Sequence, residues 1–452
     1  MDTQITNKDV EDIINHMNEN GNENELHVNK KIKIKHFNYE NLSKEFLLVN
    51  PTYTQQFSEI YCLRIKIMKN LLMKTIETLK DDEKKDKDEY NVLNYLKEIK
   101  VNEKCYCIGT LFKKMQLRPS VLKEYLSEIN TIETLVNFSH EEDALFLEDE
   151  TARLKLEGNI NNDHYVTGLT LIVKGQGMSN GSLYVEELIY SYLPKLEIPK
   201  CISNDDKYLL FVSGLYISEL NKNINNISLL RNFILGLHGD ISISENLIRL
   251  VIVGNSLSNI DNDETSLNAI DVFISSLCSA VYVDLMPGEK DPSDSYLPQQ
   301  PFPNLFFRKS KNYNSFQCVT NPYMFTIDNI NICCMSGEPV NNIISYSKNS
   351  KIEALKMIAK SRILSPTSPD TLGCYPFTKN DPFCIQHDNT YPHIFINGNC
   401  SKLEIEYIQN DNNEKKLPLL VCLPSFDISP KALLINIKNM DYKVLTFGVE
   451  KN

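Results

Sequence analysis

Between Tyr61 and Leu79 apolar side chains recur at three- and four-residue intervals: Tyr61, Ile65, Met68, Leu72, Ile76 and Leu79. That period predicts a helix with one buried face. The charged run DDEKKDKDE (81–89) interrupts it and reads as a solvated linker. From Cys105 the chain turns to strands. CYCIGTLF (105–112) is apolar and β-prone, and RLKLEG (153–158) alternates so that Leu154 and Leu156 share a face. YVTGLTLIVKG (165–175) and SLYVEELIYSYL (182–193) flank Asn180-Gly181, a pair that tolerates the positive φ of a hairpin turn. Pro119 suits the first turn of a helix with the narrow stripe Val121, Leu122, Tyr125, Leu126 and Ile129. Short strands with one helix suit a small OB-type barrel, a sandwich being the alternative.

From Lys207 β-rich and helical runs alternate. YLLFVSG (208–214) precedes a helical stretch near 226–237, and RLVIVGN (249–255) precedes SLNAIDVFISSLCSAV (266–281). Further strands are predicted at 393–398, 402–408, 418–423, 432–437 and 442–447. The pattern predicts an α/β domain with two packed sheets and helices outside. Asn-rich stretches at 221–226, 259–263 and 410–413 read as surface loop insertions. The expected organisation is a disordered extension (1–50), a helical segment with a charged linker (51–100), an OB domain (101–200) and the two-sheet domain (201–452).

Composition narrows the function classes. Forty-seven Lys and Arg against 59 Asp and Glu give a net charge of −12. That argues against blanket neutralisation of duplex DNA and leaves room for a local basic patch or a protein partner. No stretch approaches the roughly 18 unbroken apolar residues of a membrane span. The polar, acidic opening MDTQITNKDVEDIINH predicts neither a secretory signal nor a transit peptide. The 12 cysteines include the close pairs Cys105/Cys107 and Cys333/Cys334 but no CxxC. Buried thiols in a reducing compartment, nucleus or cytosol, are expected.

Long Pro- and Gly-bearing blocks carry a resemblance. MPGEKDPSDSYLPQQPFP (286–303), VTNPY (319–323), SPTSPDTLGCYPFTKNDPF (365–383) and PHIFINGN (392–399) resemble hallmark blocks of the small (B) subunits of DNA polymerase delta. Those belong to the wider family of polymerase alpha, delta, epsilon and archaeal D small subunits. QLRPSVLKEYL (116–126), FLEDETARLKLEG (146–158) and VTGLTLIVKGQGMSNGSLYVEEL (166–188) resemble its OB-domain blocks. The similarity runs from about Gln56 to Gly448. Its signature loops hold Pro287, Gly288, Pro298, Gln299, Gln300, Pro369, Asp370, Gly373, Tyr375 and Pro376. The resemblance implies a mixed α+β or α/β fold: an OB barrel joined to a calcineurin-like, metallophosphoesterase-type two-sheet αββα domain that is inactivated.

An active two-metal hydrolase needs oxygen and imidazole ligands holding two cations about 3.5–4 Å apart. The motif positions depart from that one by one. Gly214 stands where the first Asp belongs and Tyr216 where His belongs. Asn255 replaces the bridging carboxylate, and Ser258 the second Asp. Glu289, Lys290 and Asp291 follow the glycine turn at Gly288, with Lys290 in the phosphate-activating imidazole position. The last element, Gly398-Asn399-Cys400-Ser401, has no histidine. Asn399 and Ser401 therefore complete a set of vestigial positions, with no catalytic residue, metal ligand or cofactor expected. Glu289 and Asp291 read as loop-stabilising carboxylates.

Other chemistries have weaker support. His238 and Asp240 form a Gly-Asp decoy, because Ile243 stands where a second Asp is required. His387 and His393 read as loop or strand-edge residues. In the OB region Tyr106, Phe112, Tyr165 and Tyr184 lie among Lys113, Lys114, Arg118, Lys123, Arg153 and Lys155, but six carboxylates between Glu141 and Glu150 break any positive track. Little or no direct DNA binding is expected. The resemblance implies a nuclear, non-enzymatic accessory subunit of the polymerase delta holoenzyme in replication and repair. It would hold the Cys-rich C-terminal domain of the catalytic subunit and a third, clamp-binding subunit, and through that subunit the sliding clamp. The alternatives are an active metal-dependent phosphodiesterase or 3′–5′ nuclease, like archaeal small subunits, or the B-subunit of a different replicative polymerase.

Overall fold

The computed structural model describes residues 37–83, 90–118, 135–197, 205–218, 223–257, 264–409 and 415–448. The chain enters through a short strand β1 (Tyr39–Asn41) and reaches helix α1 (Ser58–Glu83). Strands β2 (Asn91–Val92), β3 (Lys104–Lys114), β4 (Ala144–Glu148), β5 (Arg153–Gly158), β6 (Thr170–Gly177) and β7 (Leu183–Ile189) follow. They run in the order β2-β3-β4-β5-β7-β6, and β6 also pairs with β3. That pairing closes β3 to β7 into a five-stranded barrel, as an OB fold requires. Alternate residues such as Leu145, Leu147, Leu171 and Val173 fill its interior. The helix anticipated after Pro119 lies outside the described residues.

The remaining elements are β8 (Tyr208–Val212), α2 (Ile224–Ile234), α3 (Ile241–Glu245), β9 (Leu247–Val253), α4 (Glu264–Leu277), β10 (Tyr282–Met286), β11 (Phe316–Cys318), β12 (Tyr323–Ile327), β13 (Ile330–Met335), α5 (Glu338–Ser345), α6 (Lys351–Ser361), β14 (Ile394–Cys400), β15 (Glu404–Gln409), β16 (Lys415–Pro424), β17 (Lys431–Asn436) and β18 (Tyr442–Thr446). They make two six-stranded sheets, β11-β10-β9-β8-β17-β18 and β1-β12-β13-β14-β16-β15. The central strands of each sheet are parallel and buried on both faces, which explains their unbroken apolar runs. Period-two alternation splits each run between two cores. Leu209 and Phe211 pack between the sheets with Ile332, Ile396 and Val421. Leu210 and Val212 face Leu230, Ile270 and Ile274 of α2 and α4. The expected two-sheet, helix-flanked layering is what the chain adopts.

Two expectations are corrected. Residues 37–50 are not a disordered extension: β1 pairs antiparallel with β12, the Ser43 hydroxyl donates to the Met324 carbonyl (2.9 Å), and Phe46 is 2% exposed against the Phe383 ring. A strap held by backbone pairing and one or two anchors has no period for sequence reading to detect. Nor does the charged run end α1 at residue 80, since the helix continues through Glu83. A solvated last turn needs no apolar face, and Lys and Glu are good helix formers.

Helix α1 is pinned by a cation. Ile60, Arg64, Met68, Leu72 and Ile76 are buried at four-residue spacing, so Arg64 lies on the apolar stripe. Its Nε donates to Asp381 at 2.8 Å, both side chains being fully buried. Its Nη1 donates to the carbonyls of Pro366 (2.9 Å) and Ser368 (2.8 Å). Beside it Gly168, at φ +92°, lets the barrel close on the Pro366 carbonyl, where a Cβ would overlap. A second buried cation, Arg249, pairs with Asp284 and lies 4.0 Å from the Tyr39 ring, tying the strap to β9. Among the described residues most cysteines are buried thiols, Cys62 being exposed.

Breaking the α1 pin leaves Asp381 charged, buried and unpaired. Arg64→Met is expected to lower unfolding free energy by about 3–5 kcal/mol in urea titration. Arg64→Met/Asp381→Leu should recover most of it. A loss within the roughly 0.5 kcal/mol of an ordinary surface substitution would contradict the assignment.

Candidate functional site

The carboxyl ends of the parallel strands of both sheets meet at one edge of the sandwich, where α/β proteins usually bind ligands. Backbone approach there is very close. The Gly214 N–H donates to the Gly254 carbonyl (2.9 Å), and the Asn399 N–H to Ser213 Oγ (3.1 Å), whose hydroxyl reaches the Pro424 carbonyl (3.0 Å). Gly254 has φ +72°, and a Cβ on it would overlap Ser336 Oγ and lie 3.1 Å from Gly288 Cα. Ser336 thus fills the space that the glycine turns leave.

Neutral amides complete the filling. Asn399 Nδ2 donates to the Ser336 carbonyl (2.7 Å) and the Val253 carbonyl (3.3 Å). Asn255 Nδ2 donates to Tyr216 Oη (3.1 Å), and its Oδ1 accepts the Lys290 N–H (2.9 Å). Asn321 Nδ2 bridges Gln299 Oε1 (2.7 Å) and Glu338 Oε2 (3.0 Å), while the Ser336 N–H reaches Asn321 Oδ1 (3.2 Å). The carboxyls are engaged or remote. Asp291 accepts the Leu257 N–H on Oδ1 (2.8 Å) and the Gly288 N–H on Oδ2 (2.9 Å). Burial pushes its pKa up to about 7, against the lowering effect of these N–H bonds. Burial likewise raises the Glu338 carboxyl, and burial followed by the Asp291 charge raises the Tyr216 phenol. Glu289 and Lys290 are exposed, 3.4 Å apart. Ser401 is exposed too, and Ser258 lies outside the described residues. Among the described residues no three His, Cys, Asp or Glu side chains converge where a metal ion could be held.

The decoys resolve into local roles. Asp240 caps α3, accepting the Ser242 N–H at 2.9 Å, and the Ser242 hydroxyl and N–H hold its carboxyl below the usual range. His393 is buried, with Nδ1 accepting the Asn331 N–H (3.0 Å), and His387 is exposed. In the barrel Tyr106 is fully buried and Tyr184 is 43% exposed.

The signature loops are largely internal clamps. Pro287, Gly288, Pro298, Gln299 and Pro376 are buried, and Gln300, Pro369, Asp370, Gly373 and Tyr375 are half-buried. The two loops pair through Leu297 N–H to the Gly373 carbonyl (3.1 Å) and Tyr375 N–H to the Leu297 carbonyl (2.8 Å). Gln300 Oε1 accepts the Leu48 N–H (3.0 Å), Tyr375 Oη the Thr52 N–H (3.0 Å), and Asp370 the Arg118 guanidinium (3.0 Å). The expectation that these loops are stiff and exposed is therefore corrected: they hold the strap, α1 and the barrel to the two-sheet domain. Sequence reading also missed Ser336, Asn321 and the Arg64–Asp381 pair. Arg64 had a legible signal, a cation at i+3 from Tyr61 and i−4 from Met68 on an apolar stripe.

Comparison with known proteins bears on both parts. The family described as DNA polymerase delta subunit OB-fold domain matches residues 56–188, which include α1 and the barrel. The family of DNA polymerase alpha/epsilon B-type subunits matches residues 209–404, which span the strand ends and both loops. The chain is 34% identical to the DNA polymerase delta small subunit of Arabidopsis thaliana, over 92% of this chain and 97% of that one. The chain belongs to the family of DNA polymerase delta small subunits. Within that family it is also similar to the small subunits of Oryza sativa subsp. japonica (32% identical, 91% of this chain, 97% of that one) and Saccharomyces cerevisiae (26%, 93% and 95%).

Asp291 supplies a pH test of this strand-end packing. The native state keeps a proton that the unfolded chain releases between pH 3.8 and about 7. Its contribution to stability is therefore full below 3.8 and falls as pH rises through about 7. Asp291→Asn sets an amide N–H against a backbone N–H, so we expect a loss of about 1–3 kcal/mol. Chemical denaturation across that pH range should show the fall in the parent and not in the variant. Parallel pH profiles would contradict the burial of this carboxyl.

Proposed function

We propose that this small subunit is a non-catalytic scaffold of a nuclear DNA polymerase delta holoenzyme. In this reading it holds the Cys-rich C-terminal domain of the catalytic subunit and a clamp-binding third subunit, in replication and repair. Two bodies joined rigidly keep both partners at high effective concentration without chemistry of their own. The domain reading is an OB unit carried with α1, joined to a calcineurin-like phosphoesterase domain that has lost its metal centre.

One observation supports the loss most directly: Asp291 points both oxygens at backbone N–H groups. The neighbouring motif positions present Gly214, Tyr216, Asn255 and Asn399, which bring no negative charge. Two dications need charged or imidazole ligands to offset dehydration, so this donor set does not fit them.

Expression with candidate catalytic subunits should give stoichiometric co-purification with a polymerase delta catalytic subunit. Exclusive retention by an alpha or epsilon catalytic subunit would refute the assignment. The same preparation should release no nucleotide from single-stranded DNA in Mn²⁺. Hydrolysis abolished by Asp291→Ala would establish the nuclease reading instead.

A further inference from the structure

The loop between Phe302 and Phe316 gathers cations on an otherwise acidic chain. Arg308, Lys309 and Lys311 are exposed within four residues, and no Asp or Glu occurs between Asp294 and Asp328. An exposed basic loop is ordinarily a solvated surface, but this one is held rigidly from below. Asp271, 2% exposed on α4, accepts the Lys309 N–H on Oδ2 (2.8 Å) and the Ser310 N–H on Oδ1 (2.8 Å). The Ser310 hydroxyl adds a bond to Oδ1 (2.6 Å). Phe307, fully buried, locks the entry of the loop against Phe316 with ring centroids 5.2 Å apart. The backbone between these anchors turns through Lys311 N–H to the Phe307 carbonyl (3.1 Å) and Tyr313 N–H to the Ser310 carbonyl (3.0 Å).

Buried carboxylate and buried aromatic thus fix a backbone whose outward side chains are three cations and one ring. Tyr313, at the end of the turn, is 41% exposed. Cations on a fixed backbone meet polyanions at low ordering cost. An aromatic face beside them offers what an unpaired base needs and a carboxylate-bearing peptide does not. The strand-end amides and the barrel take no part in this surface.

We propose that the 308–313 loop is a contact site for single-stranded nucleic acid, with Arg308, Lys309 and Lys311 on the phosphodiester backbone and Tyr313 stacking on a base. The proposal is independent of the scaffold reading. It also fits an acidic chain, because a local patch that neutralises a few phosphates leaves the net charge of −12 nearly unchanged.

The test is fluorescence anisotropy of labelled oligothymidylate with the full chain over a range of salt concentrations. At about 0.7 released counterions per phosphate, R308A/K309A/K311A should flatten the log–log salt slope by about 2. Charge-preserving R308K/K309R/K311R should keep the slope. Tyr313→Ala should weaken binding about fivefold to hundredfold with the slope unchanged. Melting curves matching the parent would show that each variant is folded, as expected for exposed side chains. No binding by the parent at low ionic strength would overturn the proposal. So would an unchanged slope in the triple alanine variant, or an unchanged affinity in Tyr313→Ala. Binding of a polyglutamate peptide in place of oligothymidylate would assign the patch to an acidic protein segment instead.

Discussion

Close approach of backbone to backbone at the strand ends is the constraint from which the rest follows. Gly214, Gly254 and Gly288 let β8, β9 and β10 finish within contact of the Ser336 and Asn399 turns. Once those turns touch, the space between the sheets is filled by Ser336 and by amides that satisfy carbonyls. A carboxylate in such a place must find donors or take up a proton. Asp291 does both in part, accepting two backbone N–H groups while burial raises its pKa. The glycines and the turns persist because they shape the fold, whatever else the positions around them once did.

That constraint extends outward through the loops. Gln299 carries the strand-end network into the 286–303 block, donating to the Gly288 carbonyl (3.2 Å) and accepting from Asn321. The 286–303 block pairs with the 365–383 block, which in turn supplies Asp381 and two carbonyls to Arg64. Barrel, helix, strap and sandwich are thereby one connected set of buried polar contacts. Pairs of this kind are poor sources of net stability but strong sources of a unique arrangement, since each is costly to leave half made. Fixed relative placement of its parts is the property a scaffold needs.

Much of this was legible in the sequence. Unbroken runs such as LIRLVIV and PLLVCL announce strands buried on both faces, and alternation in RLKLEG announces a barrel wall. The vestigial positions could be named because each follows a strand and a glycine. What escaped was contact between distant residues without periodicity. Arg64 and Asp381 are 317 residues apart, and β1 is three residues long. The loop blocks read as exposed because Pro and Gly usually mark surface turns, yet here they line a junction. An OB fold draws the search for a nucleic-acid surface to the barrel aromatics, and so away from Arg308 to Tyr313.

The measurement that bears most directly on the central claim is anomalous diffraction from crystals grown in manganese. The account predicts no manganese peak among Gly214, Asn255, Asp291 and Asn399, with Asp291 still accepting from Gly288 and Leu257. Two well-occupied peaks about 3.5–4 Å apart, with Asp291 turned to bridge them, would contradict it.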